Sequence, residues 1–217
     1  MNDKSRSAAV ATLTALLDSV SPDVEAAIRA VADENAALRR QLQEAEQRAL
    51  DLQNEAREDP LTGLLNRRGL DDQLKRAIDL VRRYDAVISL LFIDLDGFKK
   101  INDAHGHAVG DIALMHVAAL LSSHVRRSDV VARLGGDEFA ILLWQSDCDL
   151  AKAKAKWLTD LVDKTPLRFD SHELSLGASV GATQILSGDD DAAAILSRAD
   201  KAMYLIKDQG KLGTQGR

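Results

Sequence analysis

Val130-Val-Ala-Arg-Leu-Gly-Gly-Asp-Glu-Phe-Ala-Ile-Leu-Leu-Trp144 sets two apolar runs on either side of Gly135-Gly136. Runs rich in Val, Ile and Leu broken by adjacent glycines predict a strand, a tight turn and a returning strand. Glycine supplies the positive φ angles that such turns demand. Asp137 and Glu138 then open the second strand. Acidic residues are poor strand formers, and successive strand positions face opposite sides. A hairpin that only had to turn would not need both. A hairpin that holds a metal-bound phosphate would use them, and the bare glycine backbone would let a ligand come close.

Working outward, Ala86 to Asp94 is nearly continuous apolar sequence and predicts a central strand buried on both faces. Asp94-Leu95-Asp96-Gly97-Phe98-Lys99-Lys100-Ile101-Asn102-Asp103 follows at its end. Side chains there are rigidly held yet face a cleft. Helices are predicted from about Arg68 to Arg83, from Gly110 to His124, over 149–164 and from Asp191 to Lys207. A further strand is expected from Leu174 to Ile185, and a loose tail from Gly210. The order α-β-α-β-β-α-β-α predicts an α+β protein, an α/β sandwich around one sheet.

Before this domain the character of the chain changes. Val10, Leu13, Leu16, Leu17 and Val20 recur at helical spacing, and Ser21-Pro22-Asp23 stops that helix and starts another. From there to about Glu58 no Gly or Pro occurs. Val24, Ile28, Val31, Asn35, Leu38, Leu42, Ala45, Ala49, Leu52 and Ala56 form a heptad seam. A seam this narrow has too few large apolar groups to bury alone, so a parallel two-stranded coiled coil is expected, with Asn35 fixing its register. Residues 1–58 are thus expected to be a dimerisation and signal-input segment, and 59–217 the catalytic domain. Asp59-Pro60 marks the boundary, Pro60 forcing Asp59 out of the helical region. A pairing of Asp59 with Arg67 or Arg68 is expected to transmit helix movement across it.

Composition narrows the function. A formal charge of −6 supplies no basic footprint for nucleic acid, so a nucleotide site would be local and metal-assisted. One cysteine, Cys148, excludes a disulfide framework. No apolar run reaches the roughly 20 residues of a membrane span, and the N-terminus lacks a signal-peptide core. A cytoplasmic location is the simplest expectation. The chemical inventory is three carboxylates that could converge, Asp94, Asp137 and Glu138, and three cations, Lys99, Lys207 and Lys211. Mg²⁺ takes hard oxygen ligands, typically one or two carboxylates plus substrate phosphates. Asn102 and Asp111 suit the paired N–H groups of guanine. No Ser-His-Asp or Cys-His arrangement competes, and His105-x-His107 lacks further zinc ligands.

Four ordered motifs carry a family resemblance: Asp59-Pro-Leu-Thr-Gly-Leu-Leu-Asn-Arg-Arg68, Phe92-Ile-Asp-Leu-Asp-Gly-Phe-Lys-Lys-Ile-Asn-Asp103, Gly106-His-Ala-Val-Gly-Asp111 and Arg133-Leu-Gly-Gly-Asp-Glu-Phe139. Together, over about residues 59–211, they resemble the GGDEF family of diguanylate cyclases. The resemblance implies a nucleotidyl-cyclase or palm-like central sheet flanked by helices. It also implies a reaction joining two GTP into cyclic di-GMP with release of two pyrophosphates. Asp94, Glu138, the Leu95 carbonyl and Asp137 would ligate two Mg²⁺, with Mn²⁺ able to substitute. Glu138, Asp137 and Lys99 would be catalytic. Asn102, Asp111, Phe98, Gly135 and Gly136 would bind GTP, while Lys99, Lys207 and Lys211 neutralise its phosphates. One domain holds one GTP, so a homodimer is implied, and the coiled coil would supply it at high effective concentration. An unidentified protein could deliver the input.

A second site follows from spacing. Arg126-Arg127-Ser128-Asp129 is separated from Gly135 by five residues, where the family carries an Arg-x-x-Asp inhibitory site for its product. Two departures stand out. Lys211 occupies a position that is usually arginine, which keeps charge but loses the bidentate fork. The family's extra inhibitory arginine falls near Lys156-Trp157, leaving Lys156 as the candidate. A degenerate domain that only binds GTP or cyclic di-GMP is the competing reading, but its signature, loss of the carboxylates or glycines, is absent.

Overall fold

In a computed structural model of the chain, residues 21–55, 57–170 and 172–214 are described, with side chains at 49–51, 53–55, 172 and 209–214 excepted. The helix expected over Val10–Val20 and the seam position Ala56 lie outside the described residues. The chain divides into two compact units, Met1–Glu55 and Ala56–Arg217.

The first unit contains helix α1 (Pro22–Glu55). Pro22 stands at its first position, where a missing N–H costs nothing, and Asp23 and Glu25 suit the positive helix end. Its apolar seam faces solvent: Val24, Ile28, Val31, Leu38, Leu42 and Leu52 are all about half exposed or more. Asn35 reaches back to the Val31 carbonyl at 3.2 Å. A 34-residue helix with an uncovered apolar stripe has its burial still to make.

The second unit is built on a four-stranded antiparallel sheet of order β2-β3-β1-β6, from β1 (Ile88–Asp96), β2 (Val130–Gly135), β3 (Glu138–Trp144) and β6 (Gly177–Gln184). Helix α2 (Arg67–Tyr84) precedes the sheet. Helices α3 (Phe98–His105) and α4 (His107–Ser123) lie between β1 and β2. Helix α5 (Cys148–Lys164) follows β3, and α6 (Ala192–Thr214) follows β6. A separate two-stranded hairpin pairs β4 (Leu167–Phe169) with β5 (His172–Leu174).

Strand alternation divides the core. Leu91, Ile93 and Leu95 join Phe139, Ile141 and Leu143 on one face, covered by α3, α4 and α5. Ile88, Leu90 and Phe92 join Ala140 and Leu142 on the other, covered by α2 and α6. Full burial of each large side chain is worth about 1.5–3 kcal/mol, so the central strand is apolar on both faces over most of its length. Helix α6 crosses β6 at Gly181, where a Cβ would fall 2.2 Å from the Met203 amide nitrogen. The glycine there is a condition of that close packing.

The α/β sandwich agrees with the sequence reading, but several boundaries differ. The central strand is displaced by two residues: it keeps Asp94, as expected, and runs on through Leu95 and Asp96. Phe98–His105, outside any expected helix, is a helix with Gly106 between it and α4. Eight residues are too few to display a clear period. The stretch from Leu174 to Ile185 divides into the last residue of β5 and the whole of β6. The tail expected from Gly210 continues α6 as far as Thr214.

Candidate active site

On the face covered by α2 and α6, Ile88, Leu90 and Phe92 are followed in the same row by Asp94 and Asp96. The other face stays apolar through Leu95. The strand thus turns acidic on one side only, just where the core ends. Asp94 is paired with Glu138 of β3 and, on its other side, with Ser179 of β6. Directly opposed residues of an antiparallel ladder have Cβ atoms about 4.5–5.5 Å apart, so the two carboxylates stand side by side. Asp137 closes the hairpin end, its carbonyl accepting from the Leu95 amide at 3.2 Å. Gly135 and Gly136 take φ of 142° and 53°. These are left-handed values at which a side chain would be strained.

Charge is concentrated here. Burial raises the Glu138 carboxyl above its ordinary value, and the negative charges of Asp94, Asp137 and Asp200 raise it further against the opposing pull of Arg67. Lys207 of α6 bonds to Asp94 and lies 3.4 Å from Asp96. Burial would lower the Lys207 ammonium, but the two carboxylates outweigh it and raise it. Among the described residues, no three Asp, Glu, His or Cys side chains form a ready-made metal cluster. What the site offers is a pair of crowded carboxylates, one of them held by Lys207. Such a pair fits a hard divalent cation that completes its shell with water and substrate oxygens.

Beyond β1, Gly97 (φ 86°) turns the chain into α3. Asn102 on that helix has a buried Oδ1 with no hydrogen-bond partner. A buried acceptor left unmade is costly, about 1–3 kcal/mol, unless a ligand uses it. It packs on Gly110 of α4, where a Cβ would fall 1.9 Å from that oxygen. Phe98 is half-buried, while Lys99 and Asp111 are exposed. The Lys211 side chain lies outside the described residues. Gly110→Ala is expected to displace the Asn102 side chain, whose Oδ1 a Cβ would meet. Helix propensity favours alanine by about 1 kcal/mol, so thermal stability should hardly fall.

The linker before α2 is tied to the same hairpin. Asp59 accepts from the Thr62 amide (2.9 Å) and hydroxyl (2.6 Å) and from Arg133 at 3.1 and 3.2 Å. Arg133 also donates to the Gly136 carbonyl at 2.8 and 3.1 Å. The expected Asp59 pairing with Arg67 or Arg68 is therefore corrected: the partner is Arg133, 74 residues away. Sequence separation gave no cue to that contact. Burial alone would raise the Asp59 carboxyl, but the Thr62 bonds and Arg133 hold it below its ordinary range.

At the second predicted site, Asp129 Oδ2 accepts from the Arg126 amide at 3.0 Å and Oδ1 from the Trp144 amide at 3.2 Å. Its carboxylate builds the turn as well as facing a cavity of about 610 Å³ lined by Arg126, His124, Lys154 and Trp157. The lysine here is Lys154, which donates to the His124 carbonyl at 2.6 Å and lies 4.3 Å from the Trp157 ring centre. Lys156, the residue suggested by the sequence, lines a different and mainly apolar groove with Val180 and Ile206. Helical phase explains the exchange, since Lys154 and Trp157 are three apart and share a face.

Comparison with known proteins bears directly on this geometry. The family described as "Diguanylate cyclase, GGDEF domain" matches residues 56–212. The chain is 41% identical over 155 residues to the bifunctional diguanylate cyclase/cyclic di-GMP phosphodiesterase MucR of Pseudomonas aeruginosa, covering 71% of this chain and 22% of MucR. It is similar to the crystal structure of the diguanylate cyclase SiaD in complex with its activator SiaC from P. aeruginosa. That likeness has a TM-score of 0.67 at 30% identity and covers 96% of this chain and 78% of SiaD. It is also similar to the coiled coil and GGDEF domain of DgcB from Caulobacter crescentus in complex with c-di-GMP. There the TM-score is 0.64 at 29% identity, over 83% of this chain and 93% of that one. The chain spans between 14% and 37% of the length of curated relatives such as MucR.

Proposed function

From the premise that the chain belongs to the GGDEF-domain family of diguanylate cyclases, we propose that it condenses two GTP into cyclic di-GMP and two pyrophosphates. The observation that carries this reading is the Asp94–Glu138 pair, set side by side across β1 and β3 at the glycine turn. Asp94, Glu138, Asp137 and the Leu95 carbonyl would hold Mg²⁺, or Mn²⁺ in its place, and the crowded carboxylates fit a divalent cation. When bound, such a cation supplies charge stabilisation at the α-phosphate. Asn102, with Asp111 nearby on α4, binds guanine through the unpartnered Oδ1. Glu138 receives the proton of the ribose 3′-hydroxyl, and its raised proton affinity brings it closer to the operating pH. Lys99, Lys207 and Lys211 carry the phosphate charge, and the Gly135-Gly136 backbone lets the nucleotide approach. Incubation with GTP and Mg²⁺ followed by product chromatography tests this. Cyclic di-GMP should form, and the Asp137→Ala, Glu138→Ala double variant should make none. GTP binding without product would favour the receptor reading instead.

Two GTP must meet, so the reaction needs two copies of the domain. The exposed seam of α1 supports a parallel dimer, which raises one domain's concentration near the other to the millimolar range, about as for a short flexible tether. Sedimentation of the full chain at micromolar concentration should give a dimer, and Val31→Lys with Leu38→Lys should give an inactive monomer. The likeness to SiaD, solved in complex with its activator, supports a protein input. Retained dimerisation in the lysine variant would rule out this seam.

The Arg126–Asp129 turn and its cavity suit the product's guanine and phosphate, which Arg126 can grip with its fork of donors. Burial lowers the Lys154 ammonium below its ordinary value, with Arg126 adding to that and Asp129 opposing it, so an anionic ligand would be welcome there. Progress curves should slow as product accumulates. Arg126→Ala should straighten them about tenfold in inhibitor affinity, in line with loss of a charge-assisted bond. Superimposable curves for the two proteins would eliminate the site.

A further inference from the structure

Asp96 has no role in the reading above, yet its carboxylate is unusually well held. Its Oδ2 accepts a hydrogen bond from Ser179 Oγ at 2.8 Å. Ser179 is 6% exposed and comes from the neighbouring strand β6. Gly177, the register partner of Asp96, makes room: a Cβ there would fall 3.2 Å from the Asp96 Cβ. The remaining oxygen, Oδ1, lies 3.4 Å from Lys207 Nζ. Lys207 is shared with Asp94, two residues earlier in the same row of β1. The carboxylates at either end of this bridge differ in fate. Asp94 is in the position proposed for metal binding, whereas Asp96 faces a cavity of about 660 Å³ that Lys207, Lys100 and Asp163 also line.

From that arrangement we infer that Asp96, braced by Ser179, is a positioning residue that retains Lys207 at the phosphate edge of the site when Asp94 is taken by a metal. The inference deepens the cyclase reading and rests on it for what the lysine does. One ammonium cannot keep two carboxylates if a dication claims the first, because the cation's stronger field withdraws the charge that held the lysine. Without Asp96, a side chain with four rotatable bonds would then swing into solvent. With Asp96 it keeps one charge-assisted bond and two further N–H donors to offer phosphate oxygens. Lys100 lines the same cavity, but it is exposed and lies on the first turn of α3 rather than against the strand.

The test uses the full chain and two readouts. Trace acetylation with acetic anhydride, followed by mass spectrometry, reports how well Lys207 is held. In wild type, adding Mg²⁺ should change Lys207 labelling by less than about twofold. In Asp96→Asn, which keeps the shape and the Ser179 bond, Mg²⁺ should raise it about fivefold or more, as for a lysine that has lost a charge-assisted hydrogen bond. Ser179→Ala should fall between them. Steady-state kinetics separate positioning from damage to the fold. Asp96→Asn should raise KM for GTP about tenfold and leave kcat within about threefold, an effect of binding charge. In a Lys207→Met background the same change should add less than about twofold, since the two residues act through one contact. Equal Lys207 labelling in wild type and Asp96→Asn with Mg²⁺, or additive effects on KM, would overturn the inference. Failure of wild type to make cyclic di-GMP would count against the cyclase reading alone, because the labelling still decides whether Asp96 holds Lys207.

Discussion

Glu138→Gln is expected to lower turnover by about three orders of magnitude, within the range for removing a general base, while the protein stays folded. The side chain is nearly isosteric, and β3 already pairs its backbone with Asp94. What the change removes is charge, in a place where charge is already crowded. Burial first, and then Asp94, Asp137 and Asp200, raise the Glu138 carboxyl in the folded state. The sign of the stability effect follows. A carboxyl raised on folding contributes its stability fully below the unfolded value and loses it as pH rises through the folded value. Without divalent cation, wild type should therefore melt progressively below Glu138→Gln as the pH goes from 4 to 7.

Divalent cation should reverse that order at neutral pH. Coordination by Glu138 and Asp94, as proposed, would stabilise the folded form by mass action. Wild type should gain thermal stability with Mg²⁺ or Mn²⁺ and the glutamine variant should gain much less. Calorimetric melts at several pH values, with and without metal, read both effects. A variant that melts with wild type under all of these conditions would show that Glu138 neither feels its acidic neighbours nor binds metal.

How much of this was legible in the sequence depends on range. The hairpin was legible because its cues are local: two apolar runs, two glycines and two acids within 15 residues, Val130 to Trp144. That Asp94 could converge with Asp137 and Glu138 was legible, but the strand order and register that set Asp94 opposite Glu138 belong to the sheet. Helix α3 was hidden by its length. The spacing of two between Asp94 and Asp96 places both on one face of β1, but no local pattern names the partner of Asp96. Ser179 gave no signal, since a serine in a strand has many uses. That Lys154 rather than Lys156 lines the cavity beside Arg126 is a matter of helical phase that only the packing of α5 answers. The uncovered seam of α1 was legible because a heptad pattern needs no tertiary context.

Arg133→Ala is expected to be the most damaging change outside the carboxylates, and the reason is a contact no local pattern announces. Arg133 and Asp59 have side chains only 12% and 17% exposed. The guanidinium holds the linker carboxylate on one side and the Gly136 carbonyl on the other. It therefore joins the entrance of the domain to the turn that carries Asp137 and Glu138. Its loss leaves a half-buried carboxylate without its cation and a turn carbonyl without its donors. A cost of about 2–4 kcal/mol is in line with breaking a shielded ion pair, and for a chain of this size that is a fall in Tm of about 10 °C. Turnover at a permissive temperature should also fall about tenfold, because a loosened Gly135-Gly136 turn no longer fixes the carboxylates opposite Asp94. Arg133→Lys should recover only part of each, since an ammonium cannot serve both acceptors as a fork does. The Asp59 carboxyl, held low by Thr62 and Arg133 against burial, adds the pH test. Its stabilisation is present above the unfolded value near 3.8 and is lost as pH falls through the lower folded value. Acid unfolding of Asp59→Asn should accordingly lack part of the wild-type loss below that pH. In a double-mutant cycle, Asp59→Ala and Arg133→Ala should cost less together than the sum of the two, by about 1–3 kcal/mol of coupling. Strict additivity would mean that the linker and the catalytic turn are held independently.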